Sequence, residues 1–438
     1  ASSLYLPDNI TESQIMKALR SMNILNDLNI ARSLTFLFII SSLLATGIYI
    51  FYWQNTSGEI DEAIERAHNY LNEQISADGK FIYRTHIDHS IHLQPDYNIP
   101  RQLASIYSLV MMDDYRPGSM DDIKVASSIR FIKENTFEKI DDNRVAIWTP
   151  ARLTANEEGG DIMKLGSAGM ALISFAPLVD RFPDIISRDL LKQIGNSVIH
   201  FQKSDGEFHS LMYRDGSFGK GWKSLFYPGQ AIFGLFELFR ITEEKKYLDS
   251  AIKSLLYLES SRKNISSEDM PADHWSLIAS AKILGYDGID NEIKQRILSH
   301  AEKVVRSILS LQIKQSRYES LIGGFSLKGE ITPTTVKVEG LNAIYPFLSD
   351  RELRKQTKSC MELAIDFILR TQIREGPFQG AWTRAMTSYD SGANKMERSE
   401  ELIDRKRREH NKAAGLIRID YVQHALSALI GYQQLFNR

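Results

Sequence analysis

The chain has 438 residues, with 53 Lys and Arg against 55 Asp and Glu, and 43% of its residues are hydrophobic. This composition excludes an intrinsically disordered chain and leaves enough apolar residues for a large core. The formal charge of −2 argues against a nucleic-acid partner, whose phosphates would require a broad basic surface. The single cysteine, Cys360, excludes an internal disulfide and a thiolate-rich metal site.

Residues 33–53 form an uncharged stretch, SLTFLFIISSLLATGIYIFYW, between polar flanks. At about 1.5 Å of rise per residue, a helix of this length spans the roughly 30 Å hydrocarbon layer of a bilayer. Its aromatic end, Tyr49 to Trp53, is typical of a lipid–water interface, and the run is longer than that of a cleavable signal. We therefore predict one transmembrane helix over residues 33–53, with the lipid bilayer as a partner.

Basic residues precede this predicted membrane helix, whereas acidic residues dominate the stretch from Glu59 to Glu65. This bias predicts a single-pass protein with a cytoplasmic N-terminus and an extracytoplasmic domain over residues 59–438. The capping-box pattern Thr11 to Gln14 and the apolar spacing after it predict an amphipathic juxtamembrane segment within residues 1–32. Residues 1–53 could also dock on a membrane-protein partner.

A weak repeat of about sixty residues follows the predicted membrane helix. Each unit has an amphipathic helix with a charged stripe, a loop rich in turn residues and aromatics, and a second helix rich in small and apolar residues. The amphipathic helices end near Tyr70, Phe131, Phe201, Tyr257, Leu311 and Thr371. Six units predict six helical hairpins, with the apolar helices in an inner ring and the amphipathic helices in an outer ring.

Loops from outer to inner helices are long, and those from inner to outer helices are shorter polar turns. Since every unit places its long loop in the same direction, the six long loops gather around the N-termini of the inner helices. Long loops in a compact domain are usually functional. Unpaired N–H groups at helix N-termini favour anionic or hydroxyl-rich ligands. We therefore expect the site on this face.

The hairpin pattern resembles the (α/α)6-toroid superfamily, which includes glycoside hydrolases, N-acylglucosamine 2-epimerase-like barrels and D-glucuronyl C5-epimerase catalytic domains. The resemblance covers residues 59–438 and implies an all-α fold with carbohydrate chemistry. Two motifs are similar to glucuronyl C5-epimerases: Gly229-Gln-Ala-Ile232, and Arg418-Ile-Asp-Tyr421 with His424 shortly after. Those epimerases carry a β-rich domain before the toroid, whereas here the predicted anchor leads almost directly into the first hairpin.

Polar residues at the inner-helix starts supply the candidate site. The catalytic candidates are Asp273, His274, Tyr227, Glu339, Asp420 and Tyr421, and the substrate-binding candidates are Arg101, Lys164, Gln230, Trp275, Lys337 and His424. Each has a structural alternative. Asp273 fits an N-cap as well as an acid, and Asp420 with His424, four residues apart on one helix face, fits a buried pair as well as a catalytic one.

Two reactions suit these residue types. Glycoside hydrolysis requires two carboxyl groups that flank a bond, supplied by Asp273, Glu339 or Asp420. Epimerisation beside a sugar carboxylate requires a cation such as Arg101 and acid–base groups such as Tyr227, His274 and Tyr421. The alternative is a noncatalytic subunit that holds a polysaccharide or scaffolds a membrane synthesis or export complex. No metal and no cofactor are expected, because His86, His89 and His92 lie in a loop without fixed ligand geometry.

Overall fold

The computed structural model describes Lys17 and residues 57–94, 96–153, 162–386 and 413–436. The predicted membrane helix over residues 33–53 lies outside this set, as does nearly all of the predicted juxtamembrane segment, so both stay predictions. Within the described part of the chain, every helix is too short or too polar to cross a bilayer. Residues from Ile60 onward form one compact unit.

Six amphipathic helices form the outer ring. They are α1 (residues 57–73), α3 (Asp122–Thr136), α5 (Arg188–His200), α7 (Lys245–Ser261), α9 (Asn291–Ser310) and α11 (Arg351–Thr371). Each buries one apolar stripe and exposes a charged one, as α9 does with Ile297, Ala301 and Val304 against the inner ring. Aspartates or serines cap several of them, including Asp290 at the start of α9.

Six apolar helices form the inner ring. They are α2 (Ile99–Tyr115), α4 (Leu165–Phe175), α6 (Tyr227–Thr242), α8 (His274–Leu284), α10 (Ile331–Ile344) and α12 (Ile419–Phe436). Every residue of α4 is buried, since the helix is enclosed by protein on all sides. Gly169 and Gly234 allow α4 and α6 to approach closely, because a Cβ on Gly169 would lie 2.7 Å from the Ala231 amide nitrogen.

Both rings close. Along the inner ring each helix packs on the next, and α12 returns to pack on α2. At this junction the Ser108 hydroxyl lies 2.9 Å from the Ser427 hydroxyl and donates to the Gln423 carbonyl at 3.2 Å. In the outer ring, Gln372 at the end of α11 donates to the Ala63 carbonyl of α1 at 2.9 Å. The chain therefore adopts the predicted (α/α)6 toroid of six hairpins.

The same kind of glutamine hydrogen bond links successive outer helices at several junctions. A glutamine that follows an outer helix donates to a carbonyl of the next one: Gln202 to Ser250, and Gln312 to Cys360, both at 2.8 Å. Further along the same loop, a glycine with positive φ lies in close contact with that neighbouring helix. At Gly323, φ is +88° and a Cβ would lie 1.9 Å from the Leu363 carbonyl oxygen, so only glycine fits.

The long loops contain short strands that the prediction of an all-α fold did not include. In one sheet, β1 (Arg84–His86) pairs antiparallel with β6 (Leu416–Arg418), with Arg84 opposite Arg418. A four-stranded antiparallel sheet has the order β2 (Phe137–Asp141), β3 (Arg144–Thr149), β4 (Ile162–Lys164) and β5 (Leu211–Tyr213). These strands tie the loops together at the face where the inner helices begin.

Candidate active site

A cavity of about 750 Å³ opens where the inner helices begin. We call it the basin. Its wall includes the first turns of α2, α6, α8, α10 and α12, together with residues of the long loops. Local sequence fixes these starts: the Asn98 side chain caps α2 by accepting from the Arg101 N–H, and proline lies in the first turn of α6. The volume is within the usual range of ligand cavities, about 300–1,000 Å³.

One side of the basin holds a carboxylate between two arginines. Asp420 Oδ2 forms an ion pair with Arg101 Nε at 3.1 Å and accepts a hydrogen bond from Arg418 Nη2 at 2.7 Å. Arg101 also donates to the Tyr83 hydroxyl, and the Arg418 guanidinium lies 4.5 Å from the centre of the Tyr421 ring. Asp420 Oδ1 is buried without a hydrogen-bond partner among the described residues. The cluster retains one net positive charge, which suits a second carboxylate from a ligand.

His274, the first residue of α8, lies on the wall opposite α2 in the order of the inner ring. Its ring is 5.0 Å from that of Phe226 and 6.0 Å from that of His424. Neither ring nitrogen has a hydrogen-bond partner among the described residues. Burial holds the pKa of His274 well below its usual value, and the charges of His424 and Lys337 lower it further. The ring is therefore neutral at pH 7 and free to bond a ligand through both nitrogens.

Glu339 lies behind His424 and shares a hydrogen bond of 2.7 Å with its Nδ1 atom. Burial raises the pKa of Glu339, although the His424 contact opposes the shift. Glu339 does not line the basin. It fixes the orientation of His424, whose ring does line it.

Lys337 is the titratable amine of the basin. Its Nζ donates to the Pro333 carbonyl at 3.1 Å and lies 5.2 Å from the centre of the Phe325 ring. Burial lowers the pKa of Lys337 to about 8. By contrast, burial raises the pKa of Tyr227, and that of Tyr421 to about 12. At neutral pH both phenols keep their protons and act as donors, whereas a fraction of Lys337 is a neutral base.

Among the described residues of the basin wall, cations exceed carboxylates. The cationic side chains are Arg101, Lys337, Arg384 and Arg418, and the carboxylates are Glu330 and Asp420. Four against two leaves two positive charges while Lys337 is protonated and one when it is neutral. Glu330 is also paired, since its Oε1 lies 3.3 Å from Arg384 Nη2. Both carboxylates of the wall are therefore held by arginines.

The structure brings nine of the twelve predicted site residues together in the basin wall: Arg101, Tyr227, Gln230, His274, Trp275, Lys337, Asp420, Tyr421 and His424. Lys164 and Glu339 lie outside it, Lys164 at the N-cap of α4 and Glu339 behind His424. Asp273 also lies outside it. Sequence reasoning missed Trp222, Glu330 and Arg384, which long loops supply, although the tryptophan in a Gly-Trp turn was an available signal.

Asp273 has the structural role that its sequence context also allowed. Its side chain is fully buried, caps α8 by accepting from the Ser276 N–H at 3.1 Å, and pairs with Arg262 Nη2 at 3.0 Å. It does not line the basin. These contacts favour the structural alternative for Asp273, and its catalytic role stays a prediction.

We expect Asp273→Asn to destabilise the fold by about 3 kcal/mol, because Arg262 would lose its buried counter-charge while asparagine still caps the helix. Urea unfolding measures the change. Asp290→Asn is the matched control, since Asp290 caps α9 from an exposed position without a charged partner among the ion pairs described. Equal stability of the two variants would contradict the structural role of the Asp273–Arg262 pair.

The three loop histidines do not converge. His89 stacks on Phe378 at 5.0 Å between ring centres, whereas the buried His86 accepts from the Asp88 N–H at 3.0 Å. Within the described ranges, His, Cys, Asp and Glu form no group of three or more with the geometry of a metal site.

Solved structures of low sequence identity share this fold. A sugar epimerase from a ruminal bacterium matches with a TM-score of 0.58 at 10% identity, over 86% of this chain and 98% of that one. An alpha-1,6-mannanase from Salegentibacter sp. HEL1_6 matches with a TM-score of 0.57 at 9% identity, over 86% and 99%. An unsaturated glucuronyl hydrolase specific for heparin matches with a TM-score of 0.54 at 12% identity, over 86% and 98%.

No family model matches the chain, and no curated protein sequence matches it. At such identities the structural likeness establishes the (α/α)6 toroid, the fold that the sequence predicted. It assigns no reaction to this chain.

Proposed function

We propose that the chain is a carbohydrate-active enzyme that binds a sugar carboxylate in the basin and exchanges the proton on the neighbouring carbon, as a uronate epimerase does. The observation that carries the proposal is the charge of the basin, whose described residues include four cationic side chains against two carboxylates. A neutral sugar gives no reason for this excess, whereas a uronate does. The similar structures named above include a sugar epimerase and a glucuronyl hydrolase, which supports a sugar ligand.

The basin holds groups for each part of such a reaction. Arg101 and Arg418 would bind the sugar carboxylate and stabilise the negative charge that spreads onto it when the neighbouring carbon loses its proton. Lys337 in its neutral form would accept that proton. A protonated phenol, Tyr227 or Tyr421, would return a proton to the opposite face of the carbon. The sugar ends with the same atoms and the inverted configuration, and proton exchange with solvent would return Lys337 to its neutral form and the phenolate to the phenol.

Hydrolysis has weaker support in this geometry. A glycosidase uses one carboxyl group as a proton donor and a second as a nucleophile or base. Here Asp420 Oδ2 is engaged by two arginines, and Glu330 is engaged by Arg384. Carboxyl groups that arginines already bind are less available to contact a glycosidic bond. The remaining acid, Glu339, is bonded to His424 behind the wall.

Incubation of the full chain with uronate oligosaccharides in D₂O tests the proposal. We expect deuterium at the carbon beside the carboxylate, detected by mass spectrometry and NMR, and a change of configuration at that carbon. Heat-denatured protein is the control. New reducing ends without exchange would instead indicate a hydrolase. Binding without either change would indicate the noncatalytic subunit, and both results contradict the proposal.

A further inference from the structure

A second cavity of about 320 Å³ lies beside the basin. We call it the side cavity. It is formed by the loop between α5 and α6 and by the end of α7, and its wall includes Phe208, Lys223, Tyr257 and Arg262. Glu207 also lines the side cavity and pairs with Lys223, which leaves the two rings and Arg262 to bind a sugar through its hydroxyl or anionic groups.

Ser224 lines both cavities, so only a short segment of chain separates them. This segment is pinned in place: the Ser224 hydroxyl accepts from the N–H groups of Phe226 and Tyr227, each at 3.2 Å, and its own N–H donates to the Ser210 hydroxyl at 2.9 Å. Trp222, two residues earlier, lines the basin and is 54% exposed. Ser224 therefore marks the border between the basin and the side cavity.

Arg262 supplies a second, independent observation. The residue is 9% exposed, and its Nη2 atom is held by Asp273 at 3.0 Å. Its Nη1 atom is buried and has no hydrogen-bond partner among the described residues. A buried guanidinium donor without an acceptor is unusual in a folded protein. An acceptor on a ligand in the side cavity would satisfy it.

We propose that the side cavity is a subsite for another sugar of the same acidic chain, so that the substrate is an oligosaccharide or polysaccharide and not a free monosaccharide. This inference rests on the function proposed above. Asp273 then connects the side cavity with the basin. It pairs with Arg262 of the side cavity and caps the helix that begins with His274 of the basin.

The test compares a monosaccharide, a disaccharide and a tetrasaccharide of one uronate, by calorimetric binding and by deuterium exchange on the full chain. We expect the tetrasaccharide to be preferred over the monosaccharide by tenfold or more in both measurements. The ratio to follow is that of the tetrasaccharide value to the monosaccharide value. In Tyr257→Ala and in Lys223→Ala this ratio should fall about tenfold, because each variant loses one polar or ring contact. Lys223 is largely exposed, so its variant should fold.

Tyr213→Ala is the matched control, because Tyr213 is an exposed tyrosine at the end of β5 that lines neither cavity. A wild-type ratio in both side-cavity variants, or equal use of all three lengths, overturns the subsite while leaving the proposed function intact. Absence of binding and of exchange with every uronate overturns both. Length-dependent binding of neutral mannose oligosaccharides that weakens in the two variants supports the subsite and rejects the acidic substrate.

Discussion

Lys337→Met lowers the rate of proton exchange by about 10²–10⁴-fold if Lys337 is the base, the range expected for loss of a positioned proton acceptor. Methionine is similar in length to the lysine stem and keeps the packing on Phe325, so the fold should tolerate the change. Turnover of a uronate oligosaccharide in D₂O measures the effect, and substrate affinity measured separately shows how much of it comes from binding.

Lys282→Met provides a matched control. Lys282 also belongs to an inner helix and also lies over a phenylalanine, with its Nζ 4.7 Å from the centre of the Phe233 ring. It stands in the last turn of α8, away from the basin. We expect this variant to retain nearly full activity. A comparable loss in both variants would mean that the effect at Lys337 is structural.

The pH profile distinguishes a base from a fixed cation at the same position. A base must be deprotonated, and burial lowers the pKa of Lys337 to about 8. Wild-type kcat/KM should therefore rise with pH below about 8 and level off above it. A sugar carboxylate beside the amine favours the charged form, so the kcat profile should be displaced to higher pH. If Lys337 only binds the carboxylate, activity should instead fall as the pH passes 8.

Gly380→Ala should destabilise the toroid by about 3–5 kcal/mol, the range of a severe core substitution. Gly380 has φ of +93°, and a Cβ there would lie 2.0 Å from the Arg66 carbonyl oxygen of α1. The methyl group would force apart the loop after α11 and the first outer helix, where Gln372 closes the outer ring. Urea unfolding followed by circular dichroism measures the loss.

Gly376→Ala separates this clash from backbone strain. Gly376 belongs to the same loop and also has positive φ, +81°, but a Cβ there meets nothing within 4 Å. Its substitution should cost only the strain of the left-handed conformation, about 1–2 kcal/mol. The difference between the two losses of stability gives the cost of the clash between residue 380 and α1. Equal losses would mean that the approach of Gly380 to α1 does not limit stability.

The number of hairpins, and the assignment of each helix to the inner or the outer ring, could be predicted from the sequence. The pattern of apolar residues along a helix indicates how many of its faces are buried by other parts of the protein. The inner helices read as apolar throughout, and α4 is in fact completely buried. The position of the basin followed from loop lengths alone. The rotation of each helix start could not be predicted, since it depends on neighbours far away in sequence.

Asp273 illustrates that limit. The sequence places it one residue before His274, yet His274 faces the basin and Asp273 faces Arg262. Similarly, Arg384 reaches the basin because its N–H donates to the Leu416 carbonyl of β6, a pairing between two distant parts of the segment between α11 and α12 that no local pattern reveals. Strands β1 and β5 escaped prediction for the same reason, because their partners, β6 and β4, lie in other loops.

Closure of both rings gives this protein a fixed circumference. An open stack of hairpins can gain or lose a unit at its end, but here α12 must meet α2 and α11 must meet α1. Removing one hairpin would leave a gap that five cannot span without re-tilting every helix. Insertions in the long loops are free of that restriction. Ligand preference can therefore diverge through these loops while the helical scaffold stays constant.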